Sequence, residues 1–216
     1  MFRRLVPSAL AGIAALAAIT VLTTDAAAQQ GAAAATPVRP SVTVLGAVHR
    51  VRAGRAARVR LRVTGSAPGV PVRLQRRVGA WRWRTVAVRR LPAGRRLTLR
   101  WQITRPGRYA VRALAAGARA RVGAVTAYRQ TYASWYGPGL YGSALACGGH
   151  LTPSTLGVAH KTLPCGAKVT VRAHGRSVRV PVIDRGPYVA GREYDLTAAV
   201  RNRIGFDGVG AVLVSR

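Results

Sequence analysis

Arg58-Val59-Arg60-Leu61-Arg62-Val63 alternates a guanidinium with an apolar side chain at every step, and a period of two marks a strand with one face buried and the other in water. The alternation returns in Arg96-Leu97-Thr98-Leu99-Arg100-Trp101-Gln102-Ile103. Working outward from these two segments, β-branched and aromatic runs predict further strands at 42–45, 70–78, 81–88, 109–114 and 119–125. Gly, Pro and Ala-Gly turns separate them at short intervals. The block 41–129 is therefore expected to be all β.

Seven short strands at this spacing resemble an immunoglobulin-like β-sandwich. Pro106-Gly107-Arg108-Tyr109 resembles the tyrosine corner that opens the sixth strand of such folds. The block carries 21 Arg between Arg50 and Arg121 and no acid, within a chain of 33 Arg, two Lys and five acids whose formal charge is +30. Such a surface attracts polyanions. A solvated face that keeps strand edges from pairing is one reading, and an adhesive module for an anionic polymer is the other. No phosphate-binding loop and no Ser-His-Asp spacing is present, and specific nucleic-acid recognition is not expected.

The chain opens Met1-Phe2-Arg3-Arg4, continues with an apolar run over 5–22, and reaches Asp25-Ala26-Ala27-Ala28-Gln29. A charged start, an apolar centre and a small-residue end predict a signal peptide at 1–28, cleaved after Ala28, with an uncleaved anchor as the alternative. No cysteine follows the apolar run, so lipidation is not expected. Residues 29–40 read as a linker that ends in two prolines. The protein is expected to be secreted and extracellular or wall-associated, and to act as a monomer.

From 130 to 216 the character changes: acids return and glycines cluster. Strands are predicted at 131–136, 168–173, 177–183 and 209–214. One helix is predicted at 196–204, with Asp195 as its N-cap and Gly205 as its stop. A small β-barrel with one short helix beside it is the economical architecture.

Four motifs stand in order here: Ala133-Ser134-Trp135-Tyr136-Gly137-Pro138-Gly139, Ala159-His160-Lys161-Thr162-Leu163-Pro164, Ile183-Asp184-Arg185-Gly186-Pro187-Tyr188 and Tyr194-Asp195-Leu196-Thr197. Together they resemble the RlpA-like double-psi β-barrel proteins, a family similar to expansins. The resemblance implies a six-stranded double-psi barrel in the cell wall and lytic transglycosylase activity on peptidoglycan glycan strands lacking stem peptides. No cofactor or metal is implied. In that reaction the muramic acid's own hydroxyl attacks, so one carboxyl can serve first as acid and then as base, where a hydrolase uses two.

On this resemblance Asp195 leads as the catalytic acid, with the helix cap as its competing role. Asp184 belongs to the Asp-Arg-Gly-Pro motif, with a turn carboxylate paired to Arg185 as the alternative. His160 matches the family histidine, which can relay or orient protons or be structural. Ser134, Trp135, Tyr136 and Tyr188 are the expected sugar-contacting residues, and plain barrel packing is the other fate of such side chains. One departure stands out: the family's Glu-x-x-Asp pair falls on Gly149 and Thr152. Its loss leaves open a non-catalytic, expansin-like glycan-binding module, or a secreted protease inhibitor.

Cys147 and Cys165 are the only cysteines. With His150 and His160 they could be drawn as a zinc site, but an exported chain with two cysteines points to a disulfide. They bracket the segment from Gly149 to His160, so the bridge is expected to hold a groove-lining loop.

Overall fold

The structure, a computed structural model, describes residues 38–216; the expected signal peptide and most of the linker lie outside the described residues. Eight strands cover the first part of it: β1 (Ser41–Ala47), β2 (Arg50–Arg52), β3 (Arg55–Thr64), β4 (Pro71–Val78), β5 (Arg82–Arg90), β6 (Arg96–Ile103), β7 (Gly107–Ala115) and β8 (Ala118–Tyr136). The alternating sequence of β3 does what its period dictates. Val59, Leu61 and Val63 are fully buried and their arginine neighbours exposed, each apolar side chain stabilising the fold by about 1.5–3 kcal/mol.

Two sheets, β1-β3-β6 and β5-β4-β7-β8, face each other over one apolar cluster to which Leu61, Leu74, Leu99, Ile103 and Val111 contribute. Tyr109 sits at the start of β7 and donates its hydroxyl to the Arg105 carbonyl at 2.8 Å. Its ring meets Trp101 edge-on at 5.1 Å, a favourable aromatic geometry. The outer strand β5 presents Arg82, Arg84, Arg89 and Arg90 to solvent, which discourages pairing at that edge.

The second part begins inside a strand. β8 is 19 residues long. It pairs with β7 as far as Ala127 and then, from Arg129 onward, with β13 (Gly210–Ser215). The boundary expected at 129/130 thus runs through continuous strand and not through a loop.

Besides β8 and β13, the barrel uses β9 (Val158–Ala159), β10 (Lys168–Ala173), β11 (Arg176–Asp184) and β12 (Tyr194–Thr197), with α1 (Ala198–Ile204) beside it. Pairing runs β8-β13-β10-β11-β9-β12 and returns from β12 to β8, closing six strands into a ring with no free edge. Val169, Val171, Val182, Leu196 and Val200 fill it. Gly157 is required at its tight wall: a Cβ there would stand 2.3 Å from Cδ1 of Ile183.

The helix departs from expectation at its start. Leu196 and Thr197 belong to β12, and the N-cap is Thr197, whose Oγ1 accepts from Val200 N at 3.4 Å. Asp195 is not the cap: it stands three residues before Ala198, where the helix begins, and its carboxylate takes the Ser134 hydroxyl instead. The stop at Gly205 is as read, in the left-handed region at φ 64°.

Candidate functional site

The site is set by β9, a strand of only two residues. Ala159 pairs with Asp184 of β11 on one side and with Asp195 of β12 on the other, and Asp195 pairs in turn with Ser134 of β8. Asp184, Ala159, Asp195 and Ser134 therefore form one row across four strands. Residues in register share a face, and two strand spacings separate the aspartates by about 10 Å at Cα.

Tyr136, two residues beyond Ser134, shares that face. Its hydroxyl is buried with no hydrogen-bond partner. Burial, then the charges of Asp184 and Asp195, push its pKa well above the ordinary tyrosine value. The phenol stays protonated and can only donate to, or accept from, what enters the row.

The two carboxylates are held differently. Asp184 Oδ1 accepts from Arg185 N at 2.8 Å and from Ala146 N at 3.0 Å. It ties the loop before Cys147 to the end of β11. The Arg185 guanidinium does not pair with it; it turns to the carbonyls of His160 and Leu163 at 3.2 and 2.9 Å and to Cys165 Sγ at 3.2 Å. Asp195 Oδ1 receives the Ser134 hydroxyl, and among the described residues no protein group donates to its Oδ2. Asp184 is likewise open at Oδ2, but its Oδ1 is spent on two backbone N–H groups of the loop, whereas Asp195 takes a single side-chain hydroxyl.

His160 is not part of the row. It follows Ala159 in the chain and so faces the other way, where its ring lies 4.8 Å from that of Tyr194. Its Nδ1 accepts from Thr162 N and Leu163 N at 3.1 and 3.0 Å. An acceptor at Nδ1 places the proton on Nε2, which lies 3.4 Å from Glu193 Oε1. Burial outweighs the attraction of Glu193 and lowers the histidine's pKa. This is a neutral imidazole organising a loop.

Glu193 is in turn gripped by the Arg129 guanidinium and by Thr131 Oγ1 at 2.6 Å. Burial opposes its ionisation, but these hydrogen bonds outweigh it and hold the carboxyl at about 2. Burial and then the Glu193 charge push Tyr194 up to about 12. The whole cluster borders a cavity of about 560 Å³, on the far side of β9 from the aspartates.

Of the expected sugar-contacting residues, Ser134 and Tyr136 lie in the row. Trp135 alternates to the opposite side, packs against the barrel core and lies under Arg201 at 4.4 Å. Tyr188 is 79% exposed at the tip after Gly186-Pro187. Tyr141 was not legible from sequence. The Gly137-Pro138-Gly139 turn folds it back so that its hydroxyl would lie 3.0 Å from a Cβ at Gly137, the residue after Tyr136. Gly149 and Thr152 are exposed, in the loop closed by the Cys147–Cys165 disulfide. Thr152 bonds only within its own turn, to Ser154 and Thr155. No carboxylate comes from this loop.

A six-strand ring in which the Asp-Arg-Gly-Pro and Tyr-Asp-Leu-Thr segments meet across a two-residue strand defines the second part of the chain as an RlpA-like double-psi β-barrel. The family model described as "Lytic transglycolase" matches residues 128–215. The chain is 46% identical over 84 residues to the Synechocystis protein named "Probable endolytic peptidoglycan transglycosylase RlpA", covering 37% of this chain and 26% of that protein. It is 43% identical over 74 residues to the Campylobacter jejuni "Endolytic peptidoglycan transglycosylase RlpA", covering 33% and 27%. The chain thus spans about a quarter of the length of these two relatives. Among solved structures it is similar to the Streptomyces papain inhibitor, at 25% identity and a TM-score of 0.33, over 41% of this chain and 92% of that one.

Proposed function

We propose that this is an exported wall protein whose barrel cleaves peptidoglycan glycan strands as a lytic transglycosylase, with Asp195 as its single acid and base. The observation that carries this reading is the row itself: Asp195 is fixed at Oδ1 by Ser134 and open at Oδ2, with Asp184 and Tyr136 on the same face. In its acid form Asp195 gives the Oδ2 proton to the glycosidic oxygen as the bond to the anomeric carbon breaks. The carboxylate so formed takes the proton of the muramoyl primary hydroxyl while that oxygen closes on the anomeric carbon. No water is consumed, and one carboxyl suffices. The Asp184 carboxylate, on the same face, favours the positive charge that builds on the ring.

The Arg-rich sandwich serves in this proposal as the anchor, immunoglobulin-like in design, holding the barrel to anionic wall polymer through exposed guanidinium groups that have no acid beside them. The test uses the full chain 29–216 with denuded glycan strands and mass spectrometry of the products. Anhydromuramoyl ends are expected, and are expected to vanish in Asp195→Asn. Intact glycan binding with no such ends in the unaltered protein would replace the enzyme by a binding module.

A further inference from the structure

The outward face of the sheet β5-β4-β7-β8 carries a concavity of about 600 Å³ that shares no lining residue with the aspartate row. Small residues make its floor: Ala110, Gly123 and Ala124 keep side chains off the strands. Arg77, Arg108, Arg112, Arg119 and Arg121 stand around it.

Arg112 is preorganised. Its guanidinium lies 4.1 Å from the centre of the Trp83 ring, and its Nε donates to Gln75 Oε1 at 2.9 Å. Among the described residues no acceptor takes its two terminal amino groups, so a planar fork of donors faces the concavity. Such a fork suits a phosphate or a carboxylate. In the β7–β8 register Arg112 lies opposite Arg121, an arrangement that is repulsive until an anion lies between them. No acid occurs anywhere in 41–129 to supply that anion from within.

The spacing narrows the ligand. Arg119 and Arg121 are two residues apart on one strand and so stand about 7 Å from each other, with Arg112 and Arg108 following the same direction on the neighbouring strand. A carboxylated glycan sets its charges at most one to a sugar unit. A polyol phosphate chain carries one diester on every short spacer and matches the row more closely. We infer that this concavity binds a linear polyol phosphate polymer of the wall, with Arg112 and Arg121 gripping one diester between them and Arg119 the next along the strand. The inference rests on the anchor reading above and gives it a place and a ligand.

The test is equilibrium binding of the full chain 29–216 to poly(glycerol phosphate), with polygalacturonate and a single-stranded oligonucleotide as parallel probes. Poly(glycerol phosphate) should bind more tightly than either, and raising salt should weaken it steeply. Arg112→Gln with Arg121→Gln should weaken it by at least about tenfold, and Arg112→Lys alone should also weaken it, since a point charge replaces the fork. An unchanged thermal melt separates these effects from misfolding. Wild-type affinity in the double variant overturns the site while leaving the anchor reading intact. No binding to any polyanion overturns both. Preference for polygalacturonate or for the oligonucleotide overturns the choice of ligand.

Discussion

Ser134 and Asp195 meet across the parallel pairing of β8 and β12, and the serine hydroxyl, itself buried, donates to Oδ1 of the carboxylate. A carboxyl steadied on one oxygen presents the other in a fixed direction. Asp195→Asn should therefore lower glycan cleavage by about 100-fold or more, the usual loss when a general acid is removed. Ser134→Ala should cost about tenfold, because it loosens the acid without deleting it. Product counting by mass spectrometry reads both, and an Asp195→Asn protein as active as wild type would remove the residue from the mechanism.

Asp184 separates a structural from a chemical role. Asp184→Asn keeps an acceptor oxygen for Ala146 N and Arg185 N, whereas Asp184→Ala removes it and leaves two N–H groups to find water. The alanine variant should lose about 1–2 kcal/mol in urea unfolding, with the asparagine variant nearer to wild type. If both lose activity equally while only one loses stability, the charge acts on the reaction.

Acid should unfold the barrel through Glu193 and His160. Glu193 sits at about 2 in the folded protein against an ordinary 4.5. As pH falls below 4.5, the unfolded chain takes up a proton that the folded one refuses, and stability drains away down to about pH 2. After discounting for partial exposure this is worth about 2 kcal/mol. His160 is also lowered from 6.5, so protonation favours the unfolded chain below that pH and adds to the same slope. Melting temperature against pH checks this. Glu193→Gln should lower stability at pH 7 and flatten the profile between 4.5 and 2.

Thr197→Ala should cost about 1 kcal/mol through loss of the N-cap and of its bond to Gly157 N. Chemical denaturation of Thr197→Ala beside Thr197→Ser, which keeps the capping hydroxyl, tests the assignment. Equal losses in the two variants would take the cap away from Thr197.

Removing the disulfide by Cys147→Ala with Cys165→Ala should lower stability by about 3 kcal/mol on the loop-entropy estimate. Ala146, next to Cys147, bonds to Asp184, so the loop borders the site as well as the fold. Glycan affinity should fall at denaturant concentrations where the circular dichroism is still native. Simultaneous loss of both would reduce the bridge to a staple.

The strands at Arg58 to Val63 and Arg96 to Ile103 were legible because period-two alternation survives in them, and the other long strands through their β-branched and aromatic runs between turns. β2, β9 and β12, of three, two and four residues, were not. A strand that short has no period and exists only through its neighbours' hydrogen bonds. That blindness also misplaced the cap: Asp-Leu-Thr before an apolar helix offers two capping side chains, and β12, by running on to Thr197, sets the helix start at Ala198 and makes Thr197 the cap. His160 was read as a proton relay or a structural histidine, and the structure places it just past β9, bonded to Thr162 N and Leu163 N and away from the aspartate row. The motifs named Asp184, Asp195, Ser134 and Tyr136 one at a time, while the face they share is a fact of pairing alone.

β8 has a mechanical consequence. A single strand of 19 residues serves both halves, so whatever grips the first half sets the heading of the second, as a shaft fixes the blade of a tool. In the proposed function, the angle at which the barrel meets a glycan strand is decided by where the sandwich is held. Cutting the chain at 129/130 would leave each half with a torn sheet, which makes the two a single working part.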